Sequence, residues 1–395
     1  MLIEIIGFLL LGILIGIITG LIPGIHINLI GIVLISLSAT LFINLNPLFL
    51  VVFIASMAIT HTFLDFIPSI FLGCPDTDTE LSVLPGHDLL KKGRAYEAIL
   101  LTTYGSLAAI IILILISYPS VLILSKIYSY LLLVLPYLLI AILILLISLE
   151  KRKMIASFVF LLTGLLGWSV LNLESLKEPL LPLLTGLFGA SMLIMSIKNK
   201  TKVPKQEISK PKIKMLRPLT GALIASPICS LLPGLGSGQA AIIGNTISKS
   251  GREGFLVLLG ATNTLVMGFS FISLFIISKT RTGAAVAIQQ IIGQLSPKLL
   301  ILILITVFIS GIISFFLTLK LAKIFSKKIN NVNYTLLSAG TLLILILLIG
   351  LVSGFLGLLI LLISTLTGIY CISLKVKRTN MMGCLLIPTI IFYLF

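Results

Sequence analysis

The sequence predicts an all-α integral membrane protein of about 10–12 transmembrane segments, built as two related, inverted halves with broken helices or re-entrant hairpins. Three observations predict it. The chain of 395 residues is 58% hydrophobic and 10% charged, with a mean hydropathy of +1.24, whereas wetting a soluble surface takes roughly a quarter charged residues. Apolar runs long enough, or nearly so, to cross a bilayer recur from one end to the other. A Pro-Gly pair inside apolar sequence stands near the start of each half, at 23–24 and 233–234.

The runs fall at 3–22, 27–43, 47–64, 98–118, 127–149, 154–173, 180–197, 219–235, 254–277, 299–319, 333–352 and 354–374, with a short one at 381–395. The first carries Glu4 as its only charge and has no basic segment before it, so it reads as a retained span and not a cleaved signal peptide. Basic tracts at 151–153, 198–217, 320–328 and 375–378 mark loops expected on the cytoplasmic side. The stretch 198–217 holds eight basic residues, one acid and two prolines. It can neither bury a core nor enter lipid, and is expected to be a solvated linker. The domains expected are an N-terminal transmembrane repeat over 1–197, a basic cytoplasmic linker over 198–217 and a C-terminal transmembrane repeat over 218–395. The net charge of +16 then reports loop topology and contact with anionic membrane lipid. No nucleic-acid-binding motif accompanies it. Cys74, Cys229, Cys371 and Cys384 lie far apart in or beside apolar runs and are expected to be buried thiols.

The two halves resemble each other around their breaks. GLIPGIHINLIG (20–31) answers SLLPGLGSGQAAIIG (230–244), and Thr60-His61-Thr62 answers Thr262-Asn263-Thr264. Proline removes a backbone donor, and lipid offers nothing to replace the lost hydrogen bond, so each Pro-Gly should end a helix within protein or beside a wet cavity. A helix that restarts there points free N–H groups and its positive dipole end at an anion. Pro23, Gly24, His26 and Asn28 form the first such candidate binding set. Pro233, Gly234, Gly236, Ser237, Gly238 and Gln239 form the second, with Asn263 as a further polar contact.

His61 and Asp65 are four apart on one helical face at the end of an apolar run. Ionisable groups at that depth mark ion or proton paths, so Thr60, His61 and Asp65 are the candidates for coupling to sodium or a proton. An ordinary interfacial loop over 65–80, with Asp65 wetted, is the alternative. No bound cofactor or resident metal is expected: DTDTE (76–80) lacks the glycine and distal glutamate of a calcium loop. An enzyme is not expected either. With three histidines there is no H-E-x-x-H, and neither G-x-S-x-G nor a P-loop occurs.

At these residues the chain resembles the TctA family, the large permease subunit of tripartite tricarboxylate transporters, in its archaeal-type form. The likeness rests on GLIPGIHINLIG, on FLDFIPSIFLGCPDTDTELSVLPGHDLLKKGRAYEAILLTTYGSLAA (63–109) and on SLLPGLGSGQAAIIG. The resemblance implies a multi-pass permease in the cell membrane that moves small carboxylates, driven by a cation gradient. In bacterial systems it implies two partners, a small four-span membrane subunit and an extracytoplasmic solute-binding protein. Leu72-Gly73-Cys74-Pro75 stands where the bacterial pattern has an asparagine-led Ile-Pro-Gly motif. The expected function is secondary transport of small organic anions such as di- or tricarboxylates, coupled to a sodium or proton gradient, either with the two partner subunits or without them, and a homo-oligomer is also open. A channel, or a translocator of a lipid-linked phosphate, would use the same broken-helix anion chemistry.

Overall fold

The computed structural model describes residues 1–22, 45–72, 79, 81, 83–148, 150–176, 178–198, 204–211, 214–231, 236–278, 280, 282–329, 334–376 and 378–394. The described residues form helices and no strands. In order these are α1 (Leu2–Leu21), α2 (Pro47–Leu64), α3 (Phe66–Leu72), α4 (Val83–Leu90), α5 (Ala95–Ser148), α6 (Lys153–Leu171) and α7 (Leu180–Lys198). After the linker come α8 (Leu216–Leu231), α9 (Ser237–Ser248), α10 (Arg252–Ile277), α11 (Gly283–Ile292) and α12 (Pro297–Lys328). Two helices, α13 (334–353) and α14 (355–373), meet at Gly354, whose φ of 64° ends one and lets the next begin. α15 (Gly383–Leu394) closes the chain. Eight described helical stretches are long and apolar enough to cross a bilayer, and the chain is a multi-pass membrane protein.

Burial sorts these helices into a core and a lipid-facing shell. α2 and α10 are apolar all round and almost wholly enclosed, as helices at the centre of a membrane bundle must be. α1 and α6 instead expose Leu10, Leu14, Leu161 and Leu165, which lipid covers. Small residues set the closest approaches, as membrane helices require. Gly12, Gly16 and Gly20 of α1 lie against Ser56, Thr60 and Leu64 of α2 in that order, so the two helices run the same way. Gly221 of α8 lies against Gly244 of α9, one near the start and the other near the end, so this pair is an antiparallel hairpin. At 12 residues, α9 is about 18 Å long and too short to span.

The halves of the sequence interlock. Gly260 and Gly268 of α10 pack on Thr102 and Leu113 of α5, so these two run parallel. Ser314 of α12 bonds Thr60 of α2, and the Phe325 ring of α12 stacks on Phe71 of α3, so α12 follows α2. Cys229, Cys371 and Cys384 are buried thiols, as expected; Cys74 lies outside the described residues.

Two expectations need revision. The separate runs at 98–118 and 127–149 lie in one 54-residue helix, α5, with Pro119 and Pro136 inside it. The linker is also not solvated throughout. Gln206 is buried, its Oε1 accepting from the N–H of Ala95 at 3.0 Å and its Nε2 donating to the carbonyl of Leu90 at 3.0 Å. The Glu207 N–H donates to Gly93 O at 2.7 Å. Gly93 allows this seating: its φ is +78°, and a β-carbon there would stand 2.8 Å from the carbonyl oxygen of Lys205. Gly93→Ala should therefore destabilise the fold by about 1–2 kcal/mol. A thermal-unfolding midpoint in detergent equal to that of the wild type would count against the seating.

Candidate functional site

The polar residues of the core gather where α2 and α10 cross. α2 delivers Thr60, His61 and Thr62, and Asp65 caps its C-terminus; each is at most 3% exposed. Most of their hydrogen bonds link different helices. His61 Nδ1 lies 3.1 Å from Thr19 Oγ1 on α1, and His61 Nε2 lies 3.9 Å from Asp65 Oδ2. Ser314 Oγ donates to Thr60 Oγ1 at 2.9 Å. From α10, Asn263 Nδ2 donates to Asp65 Oδ2 at 2.8 Å and to the carbonyl of Thr62 at 3.4 Å. Thr62 Oγ1 and Thr264 Oγ1 stand 3.3 Å apart. The triplets that answer each other in sequence thus touch at the centre of the molecule.

A buried carboxylate is tolerable only with such partners. The donors and acceptors here are hydroxyls, an amide, an imidazole and main-chain carbonyls. Oxygen donors of this kind suit a hard cation, and the His–Asp pair suits a proton. His87 stands apart on α4, where burial and then Lys91 and Arg378 hold its pKa down at about 3, so the ring is neutral.

The second set lies at the start of α9. α8 ends at Leu231 and α9 restarts at Ser237, with Gly236 in an extended conformation as its N-cap. Gln239 reaches back, its Oε1 accepting the Gly236 N–H at 2.7 Å. Gly236, Ser237, Gly238 and Gln239 are all buried, and Gln239 Nε2 has no hydrogen-bond partner among the described residues. Pro233 and Gly234, and the first set Pro23, Gly24, His26 and Asn28, lie outside the described residues, as do 73–78. α1 ends at Leu21, and Gly20 lies against Leu64 and Asp65, so the described chain stops beside the α2 cluster just before Pro23.

The structure therefore joins Asn263, expected to serve a substrate, to Asp65 and His61, expected to serve an ion. Thr19, Thr264 and Ser314 were not expected at the site. Thr264 was signalled by the triplet it shares with Asn263; for Thr19 and Ser314 the only sequence signal is a hydroxyl inside an apolar run, which usually bonds a carbonyl in its own helix.

Residues 6–383 match the Tripartite tricarboxylate transporter TctA family. The chain belongs to that family. It is also 31% identical over 399 residues to the uncharacterized protein MJ1079 of Methanocaldococcus jannaschii, covering 98% of each chain. No solved structure matches it. As a TctA-family chain it is a component of a transporter and not an enzyme.

Proposed function

We propose that the chain is a secondary transporter of small organic anions, di- or tricarboxylates, coupled to sodium or proton entry. One observation carries this reading: the Asp65 carboxylate of one sequence half is bound in the buried core by Asn263 of the other. A group so placed changes its environment whenever α2 and α10 shift against each other, which is what ion coupling needs. Thr60, His61 and Asp65 serve the ion. The substrate carboxylates sit at the N-terminus of α9, on Gly236, Ser237, Gly238 and Gln239, with Asn263 beside the ion site. Pro23, Gly24, His26, Asn28, Pro233 and Gly234 complete the substrate site from the two breaks. In this reading 1–197 and 218–395 are inverted repeats joined by the linker 198–217. The contact of Thr62 with its counterpart Thr264 supports a two-fold relation between the halves. The tripartite family supports a small membrane subunit and an extracytoplasmic solute-binding protein as partners.

Gln239→Glu tests the substrate half of this reading. Glutamate keeps the oxygen that caps Gly236 and replaces the buried NH2 by a negative charge. Anion binding should weaken roughly tenfold to a hundredfold with the fold intact. Tricarboxylate titration of the purified variant reads this, and an unchanged affinity would remove α9 from the substrate site.

A further inference from the structure

A cavity lies away from the core, where the linker meets α8 and the α9–α10 turn. Its volume is about 500 Å³, and Lys214, Arg217, Lys249 and Arg252 line it. Among the described residues Lys214, Arg217 and Lys249 have no acid partner, and Arg252 shares its charge with Asp88 at 3.1 Å. The one acid in the wall, Glu253, is taken by Arg94 at 2.9 Å. The cavity is thus strongly cationic.

Its backbone adds to that charge. α10 begins here, with Gly251 as an N-cap that has no side chain to offer. The first-turn N–H groups of Arg252, Glu253 and Gly254 have no carbonyl of their own helix to bond, and the positive end of a 26-residue helix faces the same space. Lys249, at φ 47°, holds the left-handed turn that brings α9 round to this point.

The cavity also has an apolar side. Leu101, Pro218 and Val257 form a buried floor. Next in sequence to Arg217, and two residues before Lys249, Leu216 is 79% and Ile247 48% exposed, large apolar side chains that a bilayer surface would cover. A soluble anion needs the charge but gains nothing from this rim. A phospholipid uses both, with its phosphate at the helix N-terminus and its chains along the apolar rim.

We propose that this cavity is a specific site for the headgroup of an anionic phospholipid, seated at the junction of the linker and the second half. The cations of such a site contribute about 1 kcal/mol each near a membrane surface.

The test uses the full chain purified in detergent and reads the unfolding midpoint as short-chain lipid is added. Dioctanoyl phosphatidylglycerol should raise the midpoint saturably, and dioctanoyl phosphatidylcholine should not. Arg217→Gln combined with Lys249→Asn, asparagine being tolerant of the left-handed turn, should weaken the apparent affinity about thirtyfold. Lys214→Gln, on non-helical chain where it cannot disturb a helix, should weaken it about fivefold. Inorganic phosphate and glycerol 3-phosphate should leave the lipid response unchanged. An equal response to both lipids, or an unaltered affinity in Lys214→Gln and the double variant, overturns the site. Displacement of the lipid by inorganic phosphate overturns its assignment to lipid.

Discussion

Asp65→Asn is expected to abolish the cation dependence of uptake and to lower gradient-driven transport roughly a hundredfold. Asparagine has nearly the volume of aspartate and can still accept from Asn263 Nδ2, now at 2.8 Å from Asp65 Oδ2, so packing in the core should survive. What disappears is the charge that a sodium ion or proton would neutralise. The neighbours identify the consequence: His61 loses its carboxylate partner 3.9 Å away, and a bound cation would lose the one charged oxygen ligand that the described residues of the cluster offer. Uptake into proteoliposomes, with sodium varied at fixed pH and pH varied at fixed sodium, separates the two ions. Asp65→Asn with the wild-type dependence on both would sink the coupling role. Asn263→Ala should give a milder defect, because it removes one hydrogen bond and leaves the charge.

Gly260→Leu should prevent the bundle from assembling. Gly260 lies with its backbone on the backbone of Thr102, and Gly105 lies in turn on Val257, so α5 and α10 touch through main chain on both sides. Ser106 Oγ also donates to Gly260 O at 3.0 Å. A leucine side chain has no rotamer that avoids a neighbouring backbone, and the helices would have to part along a buried face. The loss should be about 3 kcal/mol or more, seen as loss of the monodisperse peak in detergent. Gly7→Leu is the control: nothing stands within 4 Å of a β-carbon there, so its peak and midpoint should match the wild type. A stable Gly260→Leu protein would mean that α5 and α10 do not meet so closely.

Much of this architecture was legible because lipid imposes simple rules. Composition alone required a membrane bundle. The boundary between the runs 333–352 and 354–374 is where Gly354 interrupts the helix. The answering triplets at 60–62 and 262–264 proved to touch, through Thr62 and Thr264. Other features could not be read. Thr19 and Ser314 join the site through partners hundreds of residues away or on another helix, and each looks locally like a hydroxyl bonded to its own helix. The seat of Gln206 depends on Gly93 and on the α4–α5 turn, and nothing in a basic, proline-bearing stretch announces one buried glutamine. The runs at 98–118 and 127–149 gave no sign that they belong to one helix, since Pro119 and Pro136 lie inside it.

The exchange of partners between α5 and α12 decides which pieces of the molecule can travel as units. α5 comes early in the chain yet grips α10, and α12 comes late yet follows α2. A swing of one sequence half past the other would tear the tightest seams in the protein. The expected conformational cycle moves composite pieces, each drawn from both ends of the gene product, with sliding where the two threonines meet. A bridge between cysteines introduced at Thr62 and Thr264 would then lock the cycle, while one joining α5 to α10 would leave it running.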